Sequence, residues 1–92
     1  MDLKTKIKRN GNSSFQIADG KAVVMLAVNS NIFTLNEIGT VIWELLETPK
    51  TVEELVAGIM KKFPDDNQDA IMVDVDAFIM DCLKEQLLIQ EA

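Results

Sequence analysis

Apolar and polar positions follow two different periods along this chain, and the change of period near residue 36 divides it in two. Before that point the spacing suits strands: Phe15-Gln16-Ile17 alternates, and Ala22-Val23-Val24-Met25-Leu26-Ala27-Val28 is a β-branched run fit for a central strand. Asp19-Gly20 between them is a two-residue hairpin signal. Asn29-Ser30-Asn31 turns the chain again into a short third strand, Ile32 to Leu35. After Asn36, whose side chain can accept from the first free N–H groups of a helix, the period becomes helical. Ile38, Val41, Ile42, Leu45 and Leu46 share one face of a first helix over about Glu37 to Glu47, and Pro49 closes it. The second begins at Thr51 with the capping box Thr51-x-x-Glu54, buries Val52, Leu55, Val56, Ile59, Met60 and Phe63, and stops at Pro64. Its end charges suit the helix dipole, Glu53 and Glu54 in the first turn and Lys61 and Lys62 in the last. A third helix is expected from about Asp69 to Gln86, with Leu87-Leu88-Ile89 leaving it in extended form. The pattern therefore predicts an α+β domain, a three-stranded antiparallel sheet followed by three helices, spanning residues 1–92 as one unit.

The third helix is more apolar than one buried side requires. Ile71, Val75, Phe78, Ile79 and Cys82 define its core face, but Met72 and Leu83 flank that face and Val73 and Met80 lie well off it. Trp43 is also displaced around the first helix from its apolar stripe, so it either packs beneath the sheet or meets a partner. The charged start, Met1 to Arg9, and the loop Asn10-Gly11-Asn12-Ser13-Ser14 carry no strand signal.

Charge narrows the function. The net charge is −6, and the imbalance sits in the helical half: residues 51–92 hold ten acidic and three basic side chains, against five and six in residues 1–50. An acidic surface repels phosphate backbones, which disfavours nucleic acid as a partner. No stretch approaches the roughly 18 apolar residues of a membrane span and no secretory signal is visible, so a cytoplasmic protein without a membrane partner is expected. The single cysteine, Cys82, fits a reducing compartment and reads as a buried, inert thiol, since no cation neighbours it.

Chemistry is scarce. With no histidine, Ser-His-Asp and Cys-His arrangements and histidine zinc sites are excluded. The four glycines are isolated and begin no phosphate-binding loop. Asp65-x-Asn67-x-Asp69 with Asp76 imitates a calcium loop, but Ala70 stands where glycine is needed and Asp76 where a longer glutamate belongs. The acids fall on polar helix faces with no apolar pocket to separate their pKa values. No catalysis, metal or cofactor is expected.

Leu35-Asn36, Gly39, Ile42-Trp43 and Leu45-Leu46 stand in an order that resembles the core motif of the PqqD family of small peptide-binding proteins. Thr51-Val52-Glu53-Glu54-Leu55, then Asp74-Val75 through Phe78-Ile79, Leu83 and Leu87-Leu88-Ile89, continue the resemblance, which spans about residues 15 to 90. Gln86 departs from it, since the family often has glycine there. The resemblance implies a winged-helix-like arrangement and a non-catalytic peptide chaperone. Such a module binds the leader of a ribosomally made precursor peptide and presents it to a modifying enzyme, in this family often a radical S-adenosylmethionine enzyme. The peptide would add as a strand along Asn31, Ile32, Phe33, Thr34 and Leu35, with the facing wall drawn from Met72, Asp76, Ile79, Met80 and Leu83 of the third helix. Phe33→Pro is the substitution that this picture first suggests as a test. Two rivals share the same pattern: a winged-helix DNA-binding regulator, and a structural domain that forms a homodimer through its surplus apolar surface.

Overall fold

The computed structural model describes residues 2–91. Strand β1 (Lys6–Arg9) comes first, followed by β2 (Ser13–Ala18), β3 (Lys21–Leu26) and β4 (Ile32–Thr34). Helix α1 (Glu37–Leu45), strand β5 (Lys50–Thr51), helix α2 (Val52–Lys62), helix α3 (Gln68–Lys84) and strand β6 (Leu88–Glu91) complete the chain. The α+β class and the meander of three strands before the first helix hold, in the order β2-β3-β4. The Asp19-Gly20 turn has both residues at positive φ, 54° and 78°, which matches the twist of a two-residue hairpin.

The structure adds a second sheet that the sequence pattern does not predict. It is built from β5-β1-β6, with the charged N-terminal strand in the middle. Lys6 and Ile7 pair with Thr51 and Lys50 on one side, and Lys6 through Arg9 pair with Glu91 back to Leu88 on the other. Ile7 is this strand's buried anchor, fully removed from solvent. Arg9, at the strand's end, ties the two sheets together. Its Nε and Nη2 both donate to the Trp43 carbonyl, and its guanidinium lies 4.7 Å from the Phe15 ring centroid and 5.0 Å from that of Trp43.

The core joins both sheets to all three helices. Trp43 is fully buried, edge-on to Phe15 with ring centroids 5.8 Å apart, so the indole is core and not a partner contact. Its N–H finds no acceptor among the described residues. Each helix begins on a side-chain cap: Asn36 accepts from Gly39 N–H, Thr51 and Glu54 form the capping box, and Asn67 accepts from Ala70 N–H. Helix α3 ends in a Schellman turn. Leu87 N–H reaches the Cys82 carbonyl at 2.9 Å and Gln86 N–H the Leu83 carbonyl at 3.2 Å, with Gln86 in the left-handed region at φ 65°. This turn swings Leu87 and Leu88 inward, where both are buried.

Candidate functional site

Strand β4 is the outer strand of its sheet, and it runs beside the C-terminal half of α3 without touching another strand on that side. In an antiparallel ladder, hydrogen-bonded and non-hydrogen-bonded pairs alternate. Leu26 N–H to the Asn31 carbonyl at 3.1 Å and Leu35 N–H to the Ala22 carbonyl at 2.8 Å set the phase. With the register Val24 opposite Phe33, this directs the Phe33 N–H and C=O inward to β3. The N–H and C=O of Ile32 and Thr34 point the other way, to the open edge. That edge therefore offers two donors and two acceptors to an extended chain.

The far end of the ladder is closed by a side chain. Ala22 N–H donates to the Thr40 hydroxyl at 2.9 Å, and that hydroxyl lies 3.5 Å from the Leu35 carbonyl, so Thr40 stands in the place of the last rung. It is the one buried polar residue among those described. Through it, α1 holds the exit of β4.

Between β4 and α3 lies a hollow of about 360 Å³, lined by Ile32, Phe33, Thr34 and Leu35 on one side and by Phe78, Asp81, Cys82, Glu85 and Leu87 on the other. A second hollow of about 290 Å³ continues it past Asn36 and Ile38 to Asp74 and Ala77, with Phe78 and Asp81 common to both. Phe33 and Leu35 face inward with Val24, and Ile32 and Thr34 face the outer side of the sheet. Phe78 sits directly over Gly39: a Cβ there would come within 2.5 Å of its ring. The glycine is what allows α3 to approach the entry of α1 closely enough to form the wall.

The expected site residues separate in the structure. Asn31 through Leu35 do line or border the β4 edge, with Ile32 65% exposed and Leu35 buried. The helical set is scattered. Met72 and Asp76 line a different hollow of about 410 Å³, with Leu3, Val52 and Val56 on the α2 side. Ile79 is fully buried, Leu83 is half-buried against the core, and Met80 is 54% exposed and lines neither of the hollows beside β4. The wall that faces β4 is instead Phe78, Asp81, Cys82 and Glu85, an i, i+3, i+4, i+7 stripe. No sequence signal marks that side of α3, because the contact that sets it, Phe78 over Gly39, joins residues far apart in the chain.

Cys82 lies in this wall with its thiol buried. Burial, and secondarily the charge of Asp81, push its pKa from 9.0 up to about 12. The thiol is accordingly neutral and a poor nucleophile near neutral pH. Among the described residues no group of histidine, cysteine or carboxylate side chains is arranged to hold a metal ion, and no helix is long and apolar enough to cross a membrane.

The sequence model for the family described as coenzyme PQQ synthesis protein D (PqqD) matches residues 22–88. Among solved structures, the chain is similar to TbiB1 in complex with the TbiA(beta) leader peptide, with a TM-score of 0.82 and 25% sequence identity over 92% of this chain and 98% of that one. No curated protein matches it.

Proposed function

The chain belongs to the PqqD family, and from that premise we propose that it is a recognition element for the leader of a ribosomally synthesised precursor peptide. The leader adds as a strand to the outer edge of β4 and lays alternate side chains into the hollow against α3. The module is a non-catalytic chaperone: it orders the leader and presents the rest of the precursor to a separate modifying enzyme. One observation carries the reading, namely the unpaired Ile32 and Thr34 backbone groups beside an apolar floor of Phe33, Leu35, Phe78 and Leu87. The similarity to a protein whose solved structure holds a leader peptide supports it.

Magnitudes agree with a carrier that must release its cargo. Four hydrogen bonds at about 1 kcal/mol net and three apolar side chains at about 2 kcal/mol each give roughly 10 kcal/mol gross. Ordering the peptide removes several kcal/mol, which leaves affinity in the micromolar range.

The ladder's phase decides which variant tests this. Proline at position 33 would break the sheet's own bond to Val24, so a loss of binding there would be ambiguous. Thr34→Pro removes an outward donor and leaves the β3 ladder intact. With a synthetic leader taken from a short precursor reading frame, should one be found beside the gene for this chain, Thr34→Pro should weaken binding about tenfold or more, by titration, with an unchanged thermal midpoint. Full affinity in a folded Thr34→Pro protein would refute strand addition at β4.

A further inference from the structure

The groove has a sign as well as a shape. Of the residues that line its two connected hollows, the charged ones are Asp74, Asp81 and Glu85, and none is basic. All three acids are exposed and come from one side of α3. They follow one another along the trough: Glu85 beside β4, Asp81 at the junction of the hollows, Asp74 near the start of α1. None makes an ion pair with another described residue, in contrast to Asp76 on the α2 side, which is engaged. Lys84, the one cation of α3, is next in sequence to Glu85 and therefore turned about 100° away around the helix.

We propose that the groove selects a cationic peptide: a segment whose groove-facing positions combine an apolar side chain, seated on Phe33 and Phe78, with Lys or Arg opposite Asp81 and Glu85. This rests on the reading of β4 as a strand-addition edge. Side chains on one face of an added strand recur every ~6.8 Å, and Asp81 and Glu85 are separated by ~6 Å of helical rise, so successive inward positions meet successive acids. Long Lys and Arg stems also suit the place, since they can cover the apolar floor while the charged head stays at the wet rim. An acidic segment would bring like charges together over a partly desolvated floor and be rejected. Burial is the main reason the pKa of the Cys82 thiol is pushed up, and the charge of Asp81 adds to it, which places that carboxylate close enough to act on the floor of the hollow.

A displayed library of random dodecapeptides, selected on the full chain at low salt and counter-selected on Thr34→Pro, tests this. Groove-dependent binders should be rich in Lys and Arg over Asp and Glu at alternate positions. Synthetic versions should lose about tenfold in affinity in the Asp81→Asn, Glu85→Gln double variant, and a comparable amount when their own basic residues become Gln or salt is raised. Asp81→Lys with Glu85→Lys should turn the preference toward acidic peptides, a gain that misfolding cannot produce. Neutral or acidic groove binders, or binders indifferent to both double variants, would overturn the charge selection and leave strand addition standing. A pool with no binder sensitive to Thr34→Pro would overturn both.

Discussion

At φ 65°, Gln86 occupies a backbone region that costs an L side chain about 1–2 kcal/mol and glycine nothing. It sits where the family often has glycine, and the Schellman bonds around it show why that residue would suit. Gln86→Gly should raise stability by roughly 0.5–1 kcal/mol once the looser unfolded chain is allowed for, read as a higher denaturant midpoint at constant slope. Cys82 makes a second expectation at this scale. Its pKa is raised on folding, so between 9.0 and about 12 the unfolded chain gives up the thiol proton while the folded chain keeps it. Stability from this source is complete below that window and falls as pH rises through it. In Cys82→Ala this part of the alkaline loss should vanish from a series of urea melts, whatever the variant's stability at neutral pH.

Among the elements, β4 depends most on a distant contributor. Its last rung is the Thr40 hydroxyl, so Thr40→Val, nearly identical in shape, should leave Ala22 N–H buried without a partner and cost about 1–3 kcal/mol. Amide exchange should rise first at Ala22 and along β4; uniform protection with no loss of stability would show that the hydroxyl does not hold the strand. The three helices and the meander were legible because their stop and start signals are local: Asp19-Gly20, Asn36, the Thr51–Glu54 box and Pro64 each act on adjacent backbone. Strand β1 was not legible. Lys6-Ile7-Lys8-Arg9 contains one apolar residue, and its partners are Lys50–Thr51 and Leu88–Glu91, more than forty residues away. What makes it a strand is the edge those segments present to it, not a preference of its own.

At the scale of the molecule, charge argues against the DNA-binding alternative. Helix α3, which would have to enter a groove, carries Asp69, Asp74, Asp76 and Asp81 against Lys84 alone. Duplex DNA should therefore show no mobility shift with this protein at physiological salt, and a shift that weakens linearly in log salt would revive that reading.

The amino-acid order alone determined the period of each segment, the caps, the acidic helical half and the presence of more apolar surface on α3 than one core face needs. These are properties of neighbours along the chain or of summed composition. Which side of α3 became the wall of the groove was a tertiary decision. Both sides of α3 carry apolar and acidic residues, so pattern alone does not choose between them, but Phe78 over Gly39 fixes the helix's rotation against the sheet, sending Asp81, Cys82 and Glu85 toward β4 and Met72 and Asp76 toward α2. Packing sets rotation through close contacts between segments far apart in sequence, and no local periodicity records them.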